Sequence, residues 1–146
     1  GFTIQTCAEL DDIPAMVELV KSAFSNPNYT EARLKGLISS PDYRPEYHLA
    51  VVSPEGQPVA YCIGWHDNAT EGVGYVEPVG THADFRRRGF AKAMIRECFQ
   101  RLKANGIQIA DIASEAEPNI SNFLYDSLSP AVKKEIHRYT KKVEKK

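Results

Sequence analysis

The stretch "GYVEPVGTHADFRRRGFAKAMIRECFQRLKANG", residues 74–106, limits the available folds more than any other part of this sequence. It begins inside a β-rich run, "VGYVEPVGTH", and passes through an arginine-rich turn at Gly89 into a helical pattern. From Arg88 to about Ala104, residues Ala91, Met94, Ile95, Cys98 and Leu102 recur on one face at helical spacing. Asn105-Gly106 supplies the stop. A second β run, "IQIADIAS", follows at once. Strand, helix and strand in this order predict a βαβ unit with parallel strands. Pro78 and the two glycines of the first run weaken regular pairing, and a proline there signals a bulge or an edge position.

The segments before this unit read as an antiparallel half. "FTIQTC" alternates like a strand, and "DDIPAMVELVKSAF" follows as a helix. Asp11 or Asp12 can cap that helix, Pro14 suits its first turn, and Ile13, Met16, Val17, Val20 and Phe24 form its apolar stripe. "TEARLKGLISS" predicts a shorter helix capped by Thr30 and ended by Pro41 and Pro45. "EYHLAVVS" and "PVAYCIGWH" are strand-like runs joined by the turn "PEGQ", a hairpin signal. After the βαβ unit come a short helix, "NISNFLYDSL", and a last strand, "KKEIHRYTKKV". The order β-α-α-β-β-β-α-β-α-β predicts an α/β class, with residues 1–146 forming a single domain around one mixed sheet.

Charge and cysteine usage exclude several functions. Eighteen Lys and Arg balance 19 Asp and Glu to a formal charge of −1, which argues against general affinity for nucleic acid or an acidic membrane. Cys7, Cys62 and Cys98 are scattered and odd in number, which speaks against a disulfide framework or a zinc cluster and for buried thiols in a reducing cytoplasm. No apolar run approaches the ~18 residues of a membrane span, and no signal-peptide pattern opens the sequence. The expectations are a cytoplasmic location and no metal, no nucleic acid and no membrane as partners.

Against that neutral background, Arg86, Arg87 and Arg88 stand together beside Gly89 at a helix start. The first turn of a helix leaves backbone N–H groups unpaired at the positive end of the macrodipole, which makes an anion site. A glycine there lets a phosphate approach the backbone closely. Neither G-x-x-x-x-G-K-[ST] nor G-x-G-x-x-G is present. Charge pattern alone leaves two readings, a phosphate site and a solvated arginine cluster on a surface helix.

The motif decides between them by its context. "RRRGFA" fits R/Q-x-x-G-x-G/A, with Arg86 first, Gly89 fourth and Ala91 sixth, and here the chain resembles the GNAT superfamily of acyl-CoA N-acyltransferases. "GYVEPVGTHADFRRRGFAKAMIRECFQRLKANG" resembles that family's fourth strand and third helix, and "NISNFLYDSL" its fourth-helix segment ending in Tyr-x-x-Leu. The resemblance implies a mixed, mostly antiparallel twisted sheet flanked by helices, with a splayed fourth/fifth strand pair. It implies acetyl-CoA as acyl donor, its pyrophosphate on the backbone amides of Arg87, Arg88, Gly89, Phe90 and Ala91, with Arg86 opening the motif. Val79 and Thr81 match the strand-end positions whose backbone pairs with the pantetheine arm, in the manner of an added edge strand. The family commonly has an asparagine seven residues before the motif tyrosine; here Pro118 stands there, and Asn119 beside it is the pantetheine contact this resemblance leaves. Ser129-Pro130 replaces the usual Gly-Phe after Tyr-x-x-Leu.

The same resemblance implies the proton handling. Tyr125 matches the general acid that serves the leaving thiolate, with an aromatic core residue beside Leu124 and Leu128 as the alternative. Glu77 is the candidate base, acting through water because an ordinary carboxylate is a weak base unless burial raises it. A salt bridge to an arginine or an ammonium anchor are its alternatives. Histidine is a common general base, but His82 falls on the cofactor side, which makes it the lesser candidate. Cys98 on the apolar stripe and Cys62 in a strand argue against a covalent thiol intermediate, so direct attack in a ternary complex is expected. In this family the first two helices and their loop line the acceptor side; here they carry Phe24, Tyr29, Tyr43, Tyr47 and Asp42, an aromatic set with a carboxylate for an amine. The expected acceptor is a small-molecule or peptide amine, and a homodimer is left open. The competing class is a catalytically weak acyl-CoA-binding sensor or interaction module on the same fold.

Overall fold

The structure, a computed structural model, describes residues 1–112. The helix expected at 119–128 and the strand at 133–143 lie outside the described residues. Five strands form one sheet in chain order: β1 (Thr3–Thr6), β2 (His48–Val52), β3 (Pro58–His66), β4 (Val73–Thr81) and β5 (Ile109–Ile112). The first four pair antiparallel, and β5 joins β4 in parallel, as the βαβ reading requires. The helices are α1 (Cys7–Leu10), α2 (Ile13–Phe24), α3 (Glu31–Ile38) and α4 (Phe90–Ala104).

Local chemistry sets the helix starts. Asp12 Oδ1 accepts the Ala15 N–H and Pro14 occupies the first turn of α2. Thr30 Oγ1 does the same for Arg33 at the start of α3. The one-turn helix α1 was not expected. It is built by a capping box in which Thr6 and Glu9 bond each other's backbone N–H groups at 3.0 and 2.8 Å. Asp11, at φ 51°, is the left-handed exit from that turn and leaves the capping of α2 to Asp12.

Helices cover both faces of the sheet. Leu49, Val51, Cys62 and Val76 meet Met94, Ile95, Cys98 and Leu102 of α4 on one side. Ala50, Val52, Tyr61 and Ile63 meet Met16, Val17, Leu19 and Val20 of α2 and Leu34 of α3 on the other. This double cover explains why β2 and most of β3 read as continuous apolar runs instead of alternating ones. The α4 stripe is buried as expected, but the α2 stripe is corrected at two positions. Leu19 is buried because α2 touches α3 as well as the sheet, whereas Phe24, the last helical residue, is 46% exposed.

Pro78 marks a bulge. Cys62 pairs with Val79 and Gly64 with Val76, so Glu77 and Pro78 of β4 together face Ile63 of β3. The described pairing of β4 with β5 covers Val73–Val76 and stops just before that bulge.

Two consequences for stability follow. At Gly74 a Cβ would stand 2.7 Å from the Trp65 carbonyl oxygen, which the strand cannot move cheaply, whereas at Gly36 it would meet nothing within 4 Å. Gly74→Ala should destabilise by about 1–3 kcal/mol and Gly36→Ala, in the middle of α3, should stabilise by about 0.5–1 kcal/mol, read from urea unfolding. Similar effects at the two positions would contradict the close approach at Gly74. His48, wholly buried at the start of β2, has its imidazole pushed down by burial from 6.5 to about 4. The unfolded chain therefore takes up that proton first. Its contribution is complete above about pH 6.5, falls as pH drops, and levels off below about 4, a loss of about 3 kcal/mol. His66, lowered by burial and by the Arg44 charge, adds in the same direction. Urea midpoints across this window should slope less in His48→Gln than in the wild type; equal slopes would show that His48 is not the source.

Candidate active site

The turn between β4 and α4 is shaped by two left-handed residues. Arg87 has φ 64° and Gly89 has φ 81°, with Arg86 extended ahead of them. Alternation of this kind makes successive N–H groups converge on a concavity that suits an anion. Gly89 is the N-cap of the 15-residue α4 and has no side chain to cap it. The Ala93 N–H to Gly89 carbonyl bond, 3.2 Å, is the backbone bond that ties the cap into the helix. The first-turn amides of α4 therefore project from the helix with the macrodipole behind them. A Cβ on Gly89 would meet nothing within 4 Å among the described residues, which leaves the space over the turn open on that side.

The three arginines have different surroundings. Arg86 donates to the Ala23 carbonyl at 3.0 Å and to the Thr81 carbonyl at 3.3 Å, tying the end of β4 to the end of α2. Arg88 lies 5.2–5.4 Å from the ring centres of Phe2, Phe85 and Phe90, a cation–π cluster. The Arg87 side chain makes no hydrogen bond, ion pair or ring contact among the described residues. Sequence reasoning treated the trio alike, although phenylalanines on both sides of Arg88 were a signal that it is held by rings.

Upstream of the turn, the backbone of β4 offers hydrogen-bonding groups away from β3. His82 N–H donates to the Val59 carbonyl of β3 at 2.8 Å. Strand alternation then turns the N–H and C=O groups of Val79 and Thr81 the other way, toward the side on which β5 pairs earlier in the strand. Glu77 is half-buried on the bulge, and its carbonyl accepts the Trp65 indole N–H at 2.8 Å. Trp65 thus pins the bulge, a role that sequence reasoning missed because the bond joins two strands. His82 Nδ1 accepts the Asp84 N–H at 3.1 Å and caps the short turn Ala83–Phe85, which occupies that nitrogen. Tyr125 and Asn119 lie outside the described residues.

The aromatic set expected on the acceptor side is divided among three places. Phe24 and Tyr29 line a cavity of about 290 Å³ with Arg33, His48, Tyr61 and Pro78. Asp42 lines a different cavity, about 350 Å³, with Trp65, His66, Asp67 and Tyr75. Tyr47 is buried in the α4-side core, where its hydroxyl meets His66 Nε2 at 2.8 Å. Tyr43 bonds His48 Nδ1 at 2.6 Å and packs edge-on against Trp65. The expected single aromatic pocket with its carboxylate is therefore corrected: the loop after α3 carries Asp42 past Trp65, and Tyr47 points through to the other face of the sheet.

Thiol chemistry has no support here. Burial pushes the Cys7 thiol up to about 11, and a hydrogen bond with Cys98, then burial, holds Cys62 well above its ordinary value. Among the described residues no group of three His, Cys, Asp or Glu side chains could hold a metal ion. No described helix is long and apolar enough to cross a membrane.

Solved structures share this architecture. The ribosomal-protein-S18-alanine N-acetyltransferase from Escherichia coli superposes with a TM-score of 0.69 at 19% identity, covering 88% of this chain and 77% of that one. An aminoglycoside acetyltransferase from an uncultured soil metagenomic sample, in complex with sisomicin, gives 0.69 at 14% identity over 89% and 87% of the two chains. A GNAT family acetyltransferase from Brucella melitensis in complex with acetyl-CoA gives 0.65 at 15% identity over 84% and 81%. At these identities the likeness is one of fold. No significant match was found among curated proteins. The Acetyltransferase (GNAT) family matches residues 13–126, most of the chain and all of the strand–turn–helix described above. The protein belongs to the GNAT acetyltransferase family.

Proposed function

We propose that the chain, as one domain over residues 1–146, transfers the acetyl group of acetyl-CoA to an amine by direct attack in a ternary complex. The observation that carries this reading is the uncapped, left-handed turn at Gly89, open on its outer side and placed directly after a bulged strand. The amides of Arg87 to Ala91 would hold the pyrophosphate, with Arg86 bracing the turn from behind. The outward backbone groups of Val79 and Thr81, and the Asn119 amide, would hold the pantetheine arm. Binding both reactants side by side supplies most of the acceleration, because attack becomes intramolecular in effect.

Glu77 would take the ammonium proton through a water, freeing the nitrogen lone pair to attack the thioester carbon. As the new C–N bond forms, the C–S bond breaks and Tyr125 would give its proton to the departing sulfur, while the nitrogen sheds its second proton to solvent, which restores the Tyr125 hydroxyl and leaves the first proton to be released from Glu77. The Trp65 bond to the Glu77 carbonyl holds the bulge that carries the base.

Thiol release from acetyl-CoA with a panel of amines, together with calorimetry, tests the reading. Tyr125→Phe and Glu77→Gln should each lower kcat by about a hundredfold or more while the KM for acetyl-CoA stays within about twofold. Full activity in both variants would overturn these roles. Acetyl-CoA binding with no amine-dependent thiol release would replace the transferase with a sensor.

A further inference from the structure

The cavity between α2, α3 and the sheet has a lining that discriminates among amines. Its walls are mostly apolar, and Pro78 places one of them on the bulge beside Glu77. Among the described residues no Asp or Glu lines it. The charged group at its mouth is Arg33, exposed on α3, whose guanidinium lies 5.1 Å from the Tyr29 ring centre. Arg33 forms no ion pair among the described residues. A guanidinium held over a ring with no acid beside it is suited to a ligand carboxylate.

Asn26 and His48 also line the cavity. His48 is wholly buried, and its Nε2 has no hydrogen-bond partner among the described residues. Its Nδ1 shares a hydrogen bond with the Tyr43 hydroxyl. Among the described residues that line this space none is acidic, so Arg33 meets no counter-charge there. An acceptor with several ammonium groups would lose hydration without compensation.

We infer that this cavity selects a small amine bearing an apolar side group and a carboxylate, the chemistry of a free apolar amino acid, with the carboxylate on Arg33. Its volume of about 290 Å³ suits a ligand of that size. The acetylation of such a ligand rests on the transferase reading, but its binding does not. In the product an N–C bond replaces the thioester C–S bond, and the proton lost by the amine ends on the coenzyme thiol.

The test uses the full chain saturated with coenzyme A for calorimetry, and with acetyl-CoA for thiol release. L-phenylalanine, L-leucine, their amides and spermidine are compared. The amino acids should bind about tenfold or more tightly than their amides, the expected effect of one charge-assisted contact, and spermidine should not compete. In Arg33→Gln, a helix-compatible change on the surface of α3, the ratio of acid to amide should fall to near one. Amides or spermidine binding as well as the amino acids would overturn the inference. So would an unchanged ratio in Arg33→Gln, or a preference for amides of the kind a peptide N-terminus presents. Carboxylate-dependent binding without thiol release would uphold the cavity assignment and sink the transferase. Thiol release with spermidine alone would do the reverse.

Discussion

The proposed site is arranged around a helix, α4, whose N-terminus has no side-chain cap. Most helices close that end with Ser, Thr, Asp or Asn, as α2 does with Asp12 and α3 with Thr30. Helix α4 begins instead at Gly89 in the left-handed region, where a side chain would be strained and would stand in the open space over the turn. The missing cap costs stability at that end. Burial of Ala91, Met94, Ile95, Cys98 and Leu102 along the same helix offsets it many times over. A free helix end is thus held rigidly in place by the core beneath it, which is what an anion site built from backbone amides requires.

The proposed site also needs a place for an extended arm beside the sheet, and the irregularity of β4 would supply it. The bulge at Glu77-Pro78 lets Val76 and Val79 both face the α4-side core while Pro78 lines the cavity on the other face. One strand therefore borders both sides of the proposed reaction: backbone for the coenzyme arm and the bulge residues for the acceptor. Arg86 and Trp65 stabilise that arrangement from opposite ends, Arg86 through the Ala23 and Thr81 carbonyls and Trp65 through the Glu77 carbonyl.

Features that depend on local chemistry were legible in the sequence. The α4 stripe repeats over four turns, Thr30 and Pro14 mark helix starts by themselves, and Pro78 marks an interrupted strand whichever neighbour it pairs with. The Thr6-x-x-Glu9 box carried a readable signal for α1, but one turn is too short for periodicity to reveal it. Features that depend on which elements meet were not legible. Burial of Leu19 comes from the contact between α2 and α3, and Asp42 and Tyr47 part because Asp42 lies by Trp65 while Tyr47 packs into the α4-side core. The same holds for the arginine trio: identical residues in a row acquire a brace, an open position and a ring-bound position from partners distant in the chain.

The central claim is that main-chain amides at the start of α4 grip the coenzyme diphosphate. Titration of the isotopically labelled protein with coenzyme A, followed through its amide resonances, measures this residue by residue. The account predicts that the largest shifts fall on Arg87 to Ala91, with a second group at Val79 and Thr81. Amides of this turn that stay unmoved while others respond, or a spectrum unchanged at saturating ligand, would contradict it.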